Sequence, residues 1–308
     1  MAVAVGTGVP VLLWGAPGTG KSSVVRELAD DLGWPCEVVI ASIREPSDFA
    51  GLPLVVDGGV RFAPPTWATA LAGAGRGVLF LDEISTAPPA VQAALLRVVL
   101  ERTVGDLRLP DDVAVVAAAN PPDQAADGWD LSAPLANRFC HLDWSTDAAT
   151  VAQGFTAGFG SPADPDLITR LRADRAGRSQ GGGADGRTDA GGGGRRARAR
   201  AEVATFLLLR PSTVVTPPTE RAAAGRAWPS PRTWEMAADL LAASRLVEVA
   251  PEVRTALICG CVGEGPGIEF LAWLAALDLP DPEAVLADPV GFQLPERGDR
   301  AYAVLMSV

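Results

Sequence analysis

Gly15-Ala16-Pro17-Gly18-Thr19-Gly20-Lys21-Ser22 fits the pattern G-x-x-x-x-G-K-[ST] without gap or substitution. The apolar run Val9 to Trp14 in front of it reads as a buried strand. Behind it, Ser22 to Leu32 has the period of an amphipathic helix, with Val24, Val25, Leu28 and Leu32 on one side. That context gives the pattern physical meaning. Glycines let backbone N–H groups turn inward around phosphates, and the helix N-terminus adds its positive end. Lys21 is expected to reach the outer phosphates and Ser22 to give its hydroxyl to Mg²⁺. Lys21 is also the only lysine in 308 residues, beside 25 arginines. A compact ammonium fits between phosphates where the wide planar fork of arginine does not.

Working outward, Glu37 to Ala41 reads as a second strand. Leu54-Val55-Val56 and Val60-Arg61-Phe62 flank Asp57-Gly58-Gly59, a hairpin signal because glycine supplies the positive φ of a tight turn. Thr66 to Ala72 reads as a short helix. Val78 to Leu81 is a third strand, buried on both faces, and it runs straight into Asp82-Glu83. Pro88 to Leu100 is a helix with proline in its first turn. A small second hairpin follows around Gly105-Asp106, then a fourth strand from Val113 to Ala119 ending at Asn120, and a short fifth from Phe139 to Leu142.

The acidic pair after the third strand is the second half of an ATP site. Asp82 is expected to hold the water shell of Mg²⁺. Glu83 can polarise a water for in-line attack on the γ-phosphate, since phosphoryl transfer asks mainly for positioning and charge stabilisation. A helix-capping acidic pair is the bland alternative. A GTP-reading Asn-Lys-x-Asp motif cannot exist in a chain whose one lysine is Lys21, so adenine is the expected base.

Length suggests about two domains at roughly 100–200 residues each. The net charge of −11 is uneven: Arg170 to Arg200 holds nine Arg against Asp174, Asp185 and Asp189, leaving −17 for the remainder. An acidic body argues against a general nucleic-acid binder. The region from about Arg170 to Arg200, in which Gln180 to Gly194 is dominated by glycine and leads into Arg195-Arg196-Ala197-Arg198-Ala199-Arg200, is expected to be a flexible insertion with too little apolar surface to order it. Contact of its arginines with nucleic acid or an acidic partner is the functional alternative. Cys36, Cys140, Cys259 and Cys261 do not make a disulfide framework. Cys259-Gly-Cys261 is half of a metal pattern at most, with His141 the one histidine to complete it. No stretch reads as a signal peptide or a membrane span, so a soluble, cytoplasmic protein is expected.

Beyond the insertion, Ala201 to Leu209 is helical in pattern. Ser230 to Arg245 is a stronger helix, with Ser230 as N-cap, Pro231 at the first position and Pro229 placed to staple against Trp234. Two more helices are expected near Pro251–Cys261 and Ile268–Leu277. Arg300 to Val308 is apolar and periodic where the chain stops, so an element cut short is expected there.

In order and spacing these motifs resemble the AAA+ ATPases and, within them, the MoxR-like family with its RavA-type relatives. Gly15–Ser22 resembles the Walker A motif, with Ser23 next on the helix counted among the nucleotide-binding residues, and Val78–Glu83 resembles Walker B. Asn120 is similar to the sensor 1 residue that helps place the attacking water. Asn137-Arg138-Phe139 is similar to the arginine-finger segment, which makes Arg138 the candidate to reach a neighbour's γ-phosphate. Trp228 to Glu235 resembles the sensor 2 helix, with Arg232 touching the phosphates from a lid. The two hairpins resemble the helix-2 insert and the pre-sensor hairpin. The resemblance implies an α/β P-loop NTPase core, a parallel sheet with flanking helices over 1–146, then a linker with the Gly/Arg-rich insertion over 147–201, and a smaller, mostly α-helical lid over 202–308. It implies more chain before the first strand than is found here. It further implies ATP and Mg²⁺ as cofactors, a ring (a hexamer), and chaperone-like remodelling of a client, often one with a von Willebrand A domain. A DNA-acting translocase or helicase would want basic hairpins, yet these offer Arg61 and Arg108 against Asp57, Asp106, Asp111 and Asp112. A nucleotide-gated binding module with little turnover is the other rival, and Glu83 and Asn120 speak against it.

Overall fold

The computed structural model describes residues 1–121, 124, 129–157, 159, 164–180 and 192–277. The chain forms two compact units: residues 1–169 with 218–227, and residues 170–217 with the chain from Trp228 onward.

The first unit begins with a short helix, α1 (Ala2–Thr7), that the sequence reading passed over. Then follow β1 (Val11–Trp14), α2 (Lys21–Asp31), β2 (Cys36–Ile40), α3 (Ser47–Ala50), β3 (Leu52–Val56), β4 (Gly59–Ala63), α4 (Thr66–Ala74), β5 (Gly77–Asp82) and α5 (Pro89–Glu101). The unit continues through β6 (Thr103–Val104), β7 (Leu107–Arg108), β8 (Val113–Ala119), α6 (Ala133–Ala136), β9 (Cys140–Asp143) and α7 (Ala148–Ala157). Five strands pair in the order β2-β5-β8-β1-β9, all parallel. Parallel strands need helical crossovers that cover both faces, so the central strands must be apolar on both sides. The sequence obeys this: every residue of β1 and all seven of β8 are buried. The alanines of β8 let helices pack close to the sheet. Leu12, Leu79, Leu81, Val115, Leu71, Leu95 and Phe49 join one contiguous core, and each fully buried large side chain there contributes about 1.5–3 kcal/mol.

Two hairpins leave this core. β3 and β4 meet at Asp57 (φ 49°) and Gly58 (φ 77°), two successive positive φ values that suit a tight hairpin turn. Their side chains Leu52, Leu54, Val55, Val60 and Phe62 are exposed. β6 and β7 turn at Gly105-Asp106, and this turn docks on β4. The Asp106 N–H donates to Phe62 O at 3.0 Å, and Asp106 Oδ2 accepts from Phe62 N at 3.0 Å. A Cβ on Gly105 would lie 2.4 Å from Phe62 O, so only glycine permits the approach.

In chain order α8 (Pro165–Gln180) and α9 (Gly192–Leu209) come next, then α10 (Arg221–Ala224), α11 (Pro231–Leu246), α12 (Pro251–Val262) and α13 (Glu264–Ala276). The Arg-rich run departs from expectation. Residues 181–191 of the Gly-rich segment lie outside the described residues, but Arg170 to Gln180 belong to α8 and Arg195 to Arg200 to α9 rather than to an open chain. The physical reason is pairing with α11. Arg196 forks onto Asp239, with Nη2 2.8 Å from Oδ2, and Arg200 meets Glu235 at 2.6 Å. Two cations four residues apart thus face two carboxylates four apart in reverse order, which makes the helices antiparallel. Glu202, buried, accepts from Arg245 at 2.7 and 3.2 Å and from Arg198 at 3.2 Å. The acidic partner of these arginines is this chain itself. Below them Phe206, Trp234 and Phe270 pack with centroids 5.2–5.5 Å apart.

Ser230 caps α11 as expected, and Pro231 follows in the first turn. The capping box closes with Thr233 rather than an acid: Ser230 N–H donates to Thr233 Oγ1 at 2.8 Å. The segment Arg300–Val308 lies outside the described residues. Among the described residues no helix is long and apolar enough to cross a membrane, and none of the four cysteines is in a disulfide.

Burial sorts these ion pairs by energy. Glu202→Ala should cost about 2–4 kcal/mol, because it removes a buried carboxylate and strands two partly buried guanidinium groups. Glu235→Ala, whose pair is half in solvent, should cost under about 1 kcal/mol. Urea unfolding followed by far-UV circular dichroism measures both, and equal losses would contradict the assignment of Glu202 as the organising charge.

Candidate nucleotide site

In a parallel sheet the loops after the strands share one edge. Here that edge gathers Gly15 after β1, Asp82 at the end of β5, Asn120 after β8 and Trp144 after β9. The glycine-rich loop enters α2 through Gly20, whose φ of 85° is left-handed, with Gly18 at 76°. Such a path turns successive amides toward one side. Lys21, the first residue of α2, is buried at 7 % exposure. Its Nζ donates to Gly15 O at 2.6 Å, to Ala16 O at 2.9 Å and to Asn120 Oδ1 at 3.0 Å. Burial pulls its pKa below the usual lysine range, and the nearby Asp82 carboxylate partly offsets this.

Ser22 Oγ donates to Asp82 Oδ2 at 2.7 Å, which joins the loop to the end of β5. Glu83 sits in the left-handed region at φ 55°, where a residue with a Cβ is strained by about 1–2 kcal/mol. Its conformation is held from three sides. Its N–H donates to Asp82 Oδ1 at 2.9 Å, its carbonyl accepts from Thr86 Oγ1 at 2.9 Å, and its carboxylate accepts from Ser42 Oγ. Ser42 follows β2, the neighbour of β5 in the sheet. No motif marks Ser42, so the sequence could not have nominated it.

Trp144 also escaped notice. Its backbone N–H donates to Trp14 O at 2.6 Å and its indole N–H to Thr19 O at 2.9 Å. A Cβ on Gly15 would lie 2.5 Å from Trp144 O, so the first glycine of the motif is also required by its neighbour. Trp14 in turn lies under Arg226, whose guanidinium carbon is 4.2 Å from the ring centroid and which pairs with Asp143 at 3.0 Å.

His141 is not a metal ligand. Its Nδ1 accepts from the Trp14 indole at 2.9 Å, so the proton sits on Nε2, 2.9 Å from Ala136 O. Burial is the largest cause holding its pKa down at about 4. Among the described residues no group of three or more His, Cys, Asp or Glu could hold a metal ion, which leaves the Cys259–Cys261 pattern without a site. Ser22 and Asp82 instead offer one hydroxyl and one carboxylate. These are hard oxygen donors, and few of them, as suits Mg²⁺ that takes its remaining ligands from phosphate and water. With the buried Lys21 and the left-handed glycines, the residues present fit a magnesium-bound nucleoside triphosphate.

Of the expected site residues, Lys21, Ser22, Asp82, Glu83 and Asn120 come together. Arg138 does not join them. It lies two residues before Cys140, which pairs with Val11 at the start of β1, whereas the loop leaves the far end of that strand. Four residues of strand separate the two ends by about 13 Å. The Arg138 guanidinium donates to Pro134 O there. Arg232 is exposed on the first turn of α11, in the second unit.

Fold and loop define a P-loop NTPase. Residues 10–139 match the AAA domain, dynein-related subfamily. HrpS of Pseudomonas syringae pv. syringae, a pathogenicity-locus protein described as regulatory, is 33% identical over 123 residues, 36% of this chain and 39% of HrpS. WtsA of Pantoea stewartii subsp. stewartii, described alike, is 33% identical over 121 residues, 37% of this chain and 38% of WtsA. The chain thus spans less than half the length of either relative. A crystal structure of a candidate ATPase from Cytophaga hutchinsonii is similar at a TM-score of 0.49 and 18% identity, over 85% of this chain and 79% of that one. Over residues 10–139 the chain is thus similar to the AAA domains of AAA+ proteins.

The buried neutral His141 makes stability depend on pH with a definite sign. A histidine whose folded pKa is depressed contributes fully above its unfolded value of 6.5, and the contribution is lost as pH falls from there toward about 4. The slope is about 1.4 kcal/mol per pH unit. His141→Gln preserves an acceptor for Trp14 and cannot titrate, so the stability gap between wild type and variant should shift by about 2 kcal/mol between pH 7 and pH 5. Urea unfolding at stepped pH measures it, and a constant gap would show that His141 is not held neutral.

Proposed function

We propose that the chain is an ATP-hydrolysing ring protein that remodels a partner protein. The observation that carries the proposal is the joining of loop and strand end: Ser22 on Asp82 at 2.7 Å, with Glu83 next along and Lys21 on Asn120 at 3.0 Å. In this reading Gly15, Ala16, Pro17, Gly18, Thr19, Gly20 and Ser23 line the phosphates, with Lys21 against the outer ones. Ser22 and Asp82 hold Mg²⁺, which when bound neutralises charge on the phosphate oxygens. Glu83 takes a proton from the attacking water, and Ser42 fixes the carboxylate that does so. Asn120 aligns that water, and Arg232 senses the phosphates.

AAA+ proteins typically assemble as rings, and the position of Arg138 supports that here. At the sheet edge remote from its own loop it serves a neighbour's site, the role of an arginine finger. A hexamer is the expected ring. The exposed apolar hairpin β3–β4 suits a protein client, possession of a von Willebrand A domain being one candidate feature, better than a phosphate backbone. Arg108, on the second hairpin, is paired with Asp111 at 3.6 Å. The cytoplasm is the proposed compartment, with all four cysteines outside disulfides. A second reading takes its support from HrpS and WtsA, both described as regulatory: a nucleotide-gated switch with little turnover. A steady-state ATPase assay separates the two.

Lys21→Ala should abolish nucleotide binding, whereas Glu83→Gln should bind normally and hydrolyse about 10²–10⁴-fold more slowly. Parallel loss of binding in both would reject the role of Glu83. Arg138→Ala should bind ATP and lose about 10³–10⁵ in rate. In mixed rings a Lys21→Ala subunit can lend its Arg138 to an Arg138→Ala neighbour with an intact loop, so two inactive proteins should recover part of the activity. Mixed rings confirmed by native mass spectrometry without recovery would exclude a finger acting between subunits.

A further inference from the structure

We propose that Trp144 is a positioning residue that sets the shape of the phosphate loop, and with it the affinity for the nucleotide. The inference rests on the phosphate-site reading above and adds a residue that no loop motif contains.

Trp144 touches the loop at both ends. At the entrance its backbone N–H holds Trp14 O at 2.6 Å, and its carbonyl stands where a Cβ on Gly15 would come to 2.5 Å. Near the exit its indole Nε1–H donates to Thr19 O at 2.9 Å. The second contact orients one peptide group. In a trans peptide the C=O of one residue and the N–H of the next point in opposite directions. Drawing Thr19 O toward the indole therefore turns the Gly20 N–H away from it. Gly20 is the residue whose φ of 85° leads into α2, and amides at a helix N-terminus are the groups that meet a phosphate. Inside the loop, Thr19 Oγ1 donates to Ala16 O at 2.8 Å, which ties side chain and backbone without fixing the Thr19–Gly20 peptide. Trp144 supplies that constraint from outside. It can do so because β9 ends beside β1, with Asp143 in register with Trp14, so the next residue of the chain falls beside the loop.

The role differs from support of the fold. A structural tryptophan, once replaced, lowers the melting temperature and leaves the affinity of the folded molecules unchanged. A positioning one moves affinity while the chemical step is kept, because Glu83 follows the end of β5 and is held by Asp82, Thr86 and Ser42 rather than by Trp144. Trp144→Phe keeps an aromatic ring and removes the donor. Incorporation of 3-benzothienylalanine at position 144 keeps the fused ring and replaces only N–H by sulfur, so it tests the same bond if Trp144→Phe folds poorly.

Titration calorimetry with MgADP and with the slowly hydrolysed MgATPγS, together with steady-state kinetics on MgATP, supplies the test on the full chain. We expect Kd and KM to rise about threefold to tenfold, as for loss of one net hydrogen bond, with kcat within about twofold of wild type. Unchanged Kd and KM in the benzothienyl protein would overturn the inference while leaving the phosphate site standing. A fall in kcat at constant Kd would overturn it as well. Wild-type protein that binds neither nucleotide would overturn the phosphate-site reading itself, and this inference with it.

Discussion

The hydrogen bond from Ser22 to Asp82 joins two pieces of chain that are 60 residues apart in sequence and meet only because β1 and β5 lie on either side of β8. Its geometry depends on the register that each strand keeps against β8: Trp14 stands opposite Ala119 and Leu81 opposite Ala117. A slip of one residue in either strand would turn every side chain on it to the other face and part Ser22 from Asp82. The apolar side chains of β1, β5 and β8 therefore fix the polar ends more strictly than any contact among the polar groups. The site is a consequence of how the sheet is buried.

That dependence explains what the sequence could reveal. A strand buried on both faces advertises itself as an unbroken apolar run, and a loop with left-handed residues advertises itself by glycine. Val113–Ala119, the Asp57-Gly58 turn and Gly15–Ser22 were therefore readable from residues alone. Ser42 and Trp144 were not, because each acts through a neighbour in the sheet rather than in the sequence. Ser42 reaches Glu83 across β2 and β5, and Trp144 reaches Thr19 across β9 and β1. Sheet order is decided by crossover topology, and local pattern carries no trace of it. The helix α1 was missed for a different reason: at six residues it is too short to show a period.

The Arg-rich run shows how composition can mislead. Low hydrophobicity and dense charge argue for an open chain when no partner is in sight. Here the compensating carboxylates, Glu235 and Asp239, lie some 40 residues downstream on α11, with Glu202 and Arg245 adding a buried pair. The signal was present as two matched spacings of four with opposite sign. Arginine suits the task better than lysine would, since Arg196 and Arg245 each engage a carboxylate through two nitrogens. The apparent basic patch is therefore largely neutralised within the helical unit, which removes one motive for expecting nucleic acid there.

Glu83 carries the sharpest conflict between local preference and structure. A glutamate has no reason of its own to adopt φ 55°, and the strand it follows would run on more easily in extended form. Strain of this kind persists only where surrounding bonds over-determine it. Asp82, Thr86 and Ser42 together do so. The left-handed turn ends β5 at once, and the bond to Ser42 engages the carboxylate at the sheet edge. A residue needed only to cap the following 3₁₀ turn would not require its own carboxylate to be held by a second strand's loop, and its side chain gives no cap bond to that turn. Strain that is maintained by three partners and directs one carboxylate favours a glutamate placed for chemistry over one placed for folding.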